Sequence, residues 1–140
     1  MADWPITWSI AALAALLGGA MGLLSLIRPR WGAGVVRLTP ETERPGGWAE
    51  FRASYGGALF LLHGAVLLTL AMSGQAGEGS VIGASFAAAC YWIGMGLGRT
   101  VSLVADASKG VRTGYNVFGT AFELAVGIAL LAPFLGHLGR

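Results

Sequence analysis

The sequence predicts an all-α membrane protein, an antiparallel bundle of four transmembrane helices forming one domain over residues 1–140. Three observations carry that reading. The chain is 55% hydrophobic and only 11% charged, whereas soluble domains carry about 25% charge. Four apolar runs, at about residues 6–27, 53–72, 81–105 and 115–135, match the roughly 20 residues that cross the hydrocarbon core of a bilayer. The cations gather in two of the three connections between those runs. The 23 glycines agree, because Gly is more frequent in membrane helices than in soluble ones.

The first run begins after Met1 to Pro5, a start that holds Asp3 but no Lys or Arg. A cleaved signal peptide would want a positive start and a shorter apolar core. Here the positive charges, Arg28 and Arg30, follow the run, so a retained helix is expected. Trp4 and Trp8 suit the membrane–water interface. Gly18 and Gly22 have the G-x-x-x-G spacing that lets helices approach closely, a weak signal in a chain this rich in Gly.

Arg28 to Gly47 is the long polar connection, with Arg28, Arg30, Arg37, Arg44, Glu41, Glu43, Pro29, Pro40 and Pro45. It reads as an interfacial loop. Thr39-Pro40-Glu41 has the form of a helix start, with Thr as cap and Pro in the first turn, limited to about one turn by Pro45. The second run follows. Arg52, Tyr55, Leu59 and His63 recur at steps of three and four and share one helix face, while Glu50 points elsewhere. Ser73 to Ser80 reads as a short loop. On the third run Trp92, Arg99, Leu103 and Asp106 share a face, and Gly94, Gly96 and Gly98 offer close approach to a neighbour. Asp106 to Gly114 is a polar turn with Lys109 and Arg112, read as solvated cations that set topology. On the fourth run Asn116, Glu123 and Gly127 share a face, and Pro133 falls in the last turn.

With four spans, the first and third connections lie on one side. They and their flanks hold Arg28, Arg30, Arg37, Arg44, Arg52, Lys109 and Arg112, against Arg140 alone on the other. The positive-inside rule then places both termini outside the cytoplasm. At 1.5 Å per residue, Arg99 lies roughly 10 Å and Glu123 roughly 12 Å inside the cytoplasmic ends of their spans. An unpaired charge at such depth is costly, so an Arg99–Glu123 ion pair is expected, with Tyr55 or Asn116 taking part. Glu50, Arg52, Tyr55, His63, Arg99, Asp106, Asn116 and Glu123 together are the candidate polar cluster near the cytoplasmic face. His63 alone reads as a hydrogen-bonded interior histidine, and Trp92 as packing.

Other classes are disfavoured. A net charge of +2 with no basic stripe argues against nucleic acid. Cys90 is the one cysteine and reads as a small buried hydrophobe. No Cys/His spacing suggests a metal site, and no cofactor is expected. Neither a nucleophile elbow nor a phosphate loop is present.

The pattern Glu50-x-Arg52-Ala53-x-Tyr55-Gly56-Gly57, then Gly98-Arg99, Ser102-Leu103, Asp106 and Glu123, resembles a domain-of-unknown-function family of small four-helix bacterial membrane proteins. The likeness covers most of the chain. It implies the four-span topology, a bacterial inner membrane and the polar cluster, and it brings no activity. Where that family has Asp-Gly after the third span, this chain has Asp106-Ala107 with Gly110 further on, so a different turn is expected. Three functions fit. The first is a non-catalytic accessory subunit of a larger complex or homo-oligomer, or a module binding a small lipophile. The second is an enzyme acting on a lipophilic substrate, with Glu123, His63 or Tyr55 moving a proton. The third is a small proton-coupled transporter, which the lack of internal symmetry disfavours.

Overall fold

A computed structural model describes residues 4–44 and 46–139. Asp3, Pro45 and Arg140, used above, lie outside the described residues. Among the described residues all regular structure is helical. Helix α1 spans Ile6–Ile27, α2 Pro29–Val36 and α3 Gly47–Phe51. A π-helical stretch, Arg52–Ala58, joins α3 to α4, Leu59–Ala71. Then come α5 (Ser73–Ala76), α6 (Glu78–Ala105), a 3-10 turn (Ala107–Lys109) and α7 (Gly114–Leu138). Four helices are long and apolar enough to cross a membrane: Ile6–Ile27, Gly47–Ala71, Glu78–Ala105 and Gly114–Leu138.

Their bounds refine the sequence reading. The second span starts earlier than 53, because Gly47 to Phe51 already coils and the π-helical stretch carries the helix onward. The 73–80 loop is largely helical, since α5 and the first turn of α6 occupy it. Pro133 sits inside α7 and is buried; apolar helices tolerate such a proline where neighbours compensate the lost hydrogen bond.

The long connection departs most from expectation. Its helix is α2, not a turn beginning at Thr39, and residues 38–41 are not helical. Pro29 takes the first-turn position that suits proline. Gly32 and Ala33 are small enough to be buried, Gly32 against Ser25 and Phe51. Arg37 ends the helix at φ 57°, with its N–H bonded to Ala33. Pro40 instead packs on Gly47. Past Asp106, the 3-10 turn closes at Gly110, whose φ of 74° favours glycine; that is how the turn accommodates Ala107.

Helix α1 packs on α4 and α7, and α6 packs on α7 and α4. At one end Glu78 approaches His137 at 3.7 Å. At the other the Tyr115 hydroxyl bonds to the Val35 carbonyl, tying α2 to the start of α7. The interior is built largely from small side chains, among them Ala11, Ala15, Ala88 and Ala89, around Leu59, Val66, Leu70 and Leu130. Large apolar side chains point outward instead: Leu13, Leu61 and Val104 are 68%, 69% and 69% exposed. That distribution suits an apolar solvent, in which helices associate through close packing of small residues rather than through burial of large ones. Cys90 is exposed, not buried, because Ala88 and Ala89 take the inward positions beside it.

Glycine makes the closest approaches. A Cβ on Gly22 would stand 2.5 Å from the Phe60 amide nitrogen, and one on Gly56 2.8 Å from the Leu26 Cα. The Gly18/Gly22 spacing is thus the contact line between α1 and the second span. On α6 only the middle glycine of the three works this way: Gly96 meets Leu124, while Gly94 and Gly98 meet nothing within 4 Å.

An inversion of helix propensity follows. Within a helix Ala is favoured over Gly by about 1 kcal/mol, so Gly83→Ala, in open space, should raise thermal stability in detergent slightly. Gly22→Ala should lower it by about 1–3 kcal/mol through overpacking. Equal shifts of the two melting curves would contradict the contact.

Candidate functional site

The site is built where α6 and α7 lie side by side. Arg99 Nε donates to Glu123 Oε2 at 3.0 Å, and Nη2 donates to Oε1 at 2.6 Å. Glu123 is only 7% exposed. Two parallel charge-assisted bonds offset much of the desolvation cost of both ions. Gly119, one turn before Glu123, makes room: a Cβ there would lie 3.1 Å from Arg99 Nε. The third guanidinium nitrogen, Nη1, donates to Asn116 Oδ1 at 3.3 Å. Asn116 Nδ2 donates in turn to the Val111 carbonyl at 2.7 Å, which orients the amide. Thr113 caps α7 and accepts from the Asn116 amide N–H, fixing this residue in the first turn.

Beside the pair lies a cavity of about 230 Å³. Its lining draws on α1, α2, the second span, α6 and α7, and is mostly apolar and aromatic. Its lining residues with polar side chains include Ser25, Tyr55, Tyr91, Arg99, Tyr115 and Glu123. Helix α2 contributes Trp31, Val35 and Val36. It is held there by the Tyr115 hydroxyl, which donates to the Val35 carbonyl, and by the Arg37 guanidinium, 3.7 Å above the centre of the Tyr115 ring. Trp31 and Phe118 are exposed, so the cavity reaches the outer surface.

The eight candidate residues do not form one cluster. Arg99, Glu123 and Asn116 bond together, and Tyr55 lines the same cavity without a hydrogen bond to them, stacked on Phe51 at 4.9 Å. Arg52, at the start of the π-helical stretch, does not line the cavity. Its guanidinium bonds instead to the Leu26 carbonyl at the end of α1. Glu50 is exposed and accepts from the Ser54 hydroxyl at 2.9 Å. Asp106 accepts from Ser102 at 3.0 Å and from Lys109 at 2.7 Å. The Lys109 ammonium, then the Ser102 hydroxyl, hold its carboxyl below the usual carboxylate range. Lys109 therefore has a carboxylate partner, and Arg112 donates to the Leu103 carbonyl at 2.8 Å.

His63 forms a second buried unit. Its ring is fully enclosed, with Nδ1 on the Leu59 carbonyl at 2.7 Å and Nε2 accepting from Trp92 Nε1 at 2.8 Å. The acceptor role of Nε2 assigns the proton to Nδ1 and makes the imidazole neutral. Gly18 provides the space: a Cβ there would fall 2.2 Å from Nε2. Trp92, read from the sequence as packing, is also the hydrogen-bond donor to His63. The signal was available, since a buried indole N–H needs an acceptor. Among the described residues no three His, Cys, Asp or Glu side chains are grouped to hold a metal ion. No family model, curated protein or solved structure matches this chain.

The pair makes an asymmetric demand on stability. Arg99→Leu or Glu123→Gln alone leaves a charge without its partner and should cost about 3–5 kcal/mol. The double change Arg99→Leu with Glu123→Leu should recover part of that loss in thermal melts. Simple addition of the two losses would mean that the residues do not interact.

Proposed function

We propose that this chain is a small integral membrane protein that binds a small lipophile bearing one polar group. One observation carries the reading: an apolar, aromatic cavity of about 230 Å³ with an ion pair in its wall. Binding pockets typically combine apolar lining with a few placed polar groups that orient the ligand. Three of the five guanidinium N–H donors are engaged by Glu123 and Asn116, which leaves two for a ligand hydroxyl or carboxylate. The rings supply the affinity, and the guanidinium sets the orientation.

In this reading the four apolar helices cross the membrane as an antiparallel bundle. The end that carries α2 and seven Lys and Arg residues faces the cytoplasm, and both termini face away. The likeness to small four-helix bacterial membrane proteins favours a bacterial inner membrane. Labelling tests the orientation. In a Cys90→Ala background, Glu78→Cys should react with an impermeant maleimide from outside intact cells and Lys109→Cys should not. The reverse pattern would invert the assignment.

The ligand reading is tested with 2-naphthol, whose fused rings and hydroxyl match the lining. Fluorescence titration of the protein in detergent should saturate at one molecule per chain. Met95→Trp, which fills the cavity, should abolish saturation while leaving the melting curve near that of the unmodified chain. Unsaturable partitioning that is identical in both proteins would refute the site.

A further inference from the structure

A second concavity lies outside the cavity, on the far side of Trp31. It is a groove of about 570 Å³ lined by Arg28, Pro29, Arg30, Trp31, Trp48 and Arg52. Local sequence creates it. Pro29 ends α1 at Ile27 and starts α2, so Arg28 and Arg30 flank one sharp turn. The second span brings Trp48 and Arg52 against that turn, and the Arg52 guanidinium is fixed on the Leu26 carbonyl. Three cations thus line one groove without a carboxylate. Among the described residues neither Arg28 nor Arg30 has an ion-pair partner, whereas Arg44 and Lys109 have Glu41 and Asp106. Glu50, the nearest acid in sequence, bonds Ser54 and lines a different groove.

Like charges gathered without acids favour an anion, and the surroundings say which kind. The groove stands at the ends of two apolar helices, Ile6–Ile27 and Gly47–Ala71. Two tryptophans, Trp31 and Trp48, line the same groove, and indoles concentrate at headgroup depth. Just beyond, Ile27 and Leu23 offer exposed apolar surface to acyl chains. We propose that this groove binds the phosphodiester headgroup of an anionic phospholipid, the guanidiniums on the phosphate and the acyl chains along α1. Basic pockets at the ends of membrane helices hold anionic headgroups through this chemistry, and guanidinium matches phosphate oxygens with paired donors.

The test uses the full chain in nanodiscs and native mass spectrometry of the lipids it retains. One arm holds an equal mixture of palmitoyl-oleoyl phosphatidylglycerol and phosphatidylcholine. The other holds phosphatidylcholine alone with millimolar inorganic phosphate. The unmodified chain should retain phosphatidylglycerol preferentially. Arg28→Gln with Arg30→Gln, both exposed side chains, should reduce that preference on the order of tenfold. Arg30→Gln alone should fall between. Arg44→Gln with Lys109→Gln removes equal charge outside the groove and should change the preference by less than about twofold. Equal losses in the two double variants would overturn the site in favour of diffuse charge attraction. Saturable binding of inorganic phosphate in the second arm, lost with Arg28 and Arg30, would overturn it in favour of a free-anion site.

Discussion

The bidentate bond between Arg99 and Glu123 is the interaction on which the surrounding architecture depends. A guanidinium and a carboxylate within an apolar framework have little water to fall back on, so their partners must come from the helices themselves. Each nearby feature answers that need. Gly119 removes the side chain that would displace the guanidinium. Asn116 takes the third nitrogen and is itself anchored on Val111. Thr113 sets the start of α7 so that Asn116 falls in its first turn. The depth of Glu123 on α7 and of Arg99 on α6 then fixes the register of the two helices against each other.

The second span is fixed to α1 by a different device, the absence of side chains. Gly18, Gly22 and Gly56 bring backbone against backbone or against an imidazole. That closeness encloses His63, which therefore needs both ring nitrogens satisfied; Leu59 and Trp92 meet that need. Trp92 belongs to α6, so the same hydrogen bond joins the second span to the helix that carries Arg99. It also lines the cavity. The two polar units are separate in bonding and connected through one indole.

What was legible in the sequence was whatever depends on hydrophobic length and on the cost of charge. Span α1 came out at its expected bounds, and Arg99 and Glu123 are brought together, because few alternatives exist for two deep charges of opposite sign. Features set by tertiary contact were less visible. The π-helical stretch at Arg52–Ala58 brings Gly56 against Leu26, a contact 30 residues away in sequence that local spacing does not reveal. The helix expected at Thr39 had a cap and a proline but no small residues to bury. Pro29 to Val36 had both a proline and the Gly32-Ala33 pair, and burial decided between them. The candidate cluster dispersed because three of its members have other partners: Glu50 and Asp106 bond close neighbours in sequence, Ser54, Ser102 and Lys109, and Arg52 bonds the Leu26 carbonyl of α1.

Helix α2 connects these local outcomes to both concavities. Its inner side, with Val35 and Val36, closes the cavity over the ion pair, and its first turn carries Arg30 into the outer groove. Trp31 lines both spaces. It is a single wall between an internal apolar volume and a cationic surface. What holds that wall is modest: the Tyr115 hydroxyl on Val35, the Arg37 guanidinium over the Tyr115 ring, and the burial of Gly32 and Ala33. An exposed cation–π contact is worth only about 0.5–1 kcal/mol, and a neutral hydrogen bond about the same. An anion seated on Arg28 and Arg30 would add to this small total at the point where α1 turns into α2. Because Trp31 lines both spaces, in the proposed reading a headgroup outside and a lipophile inside would both contact the same short helix.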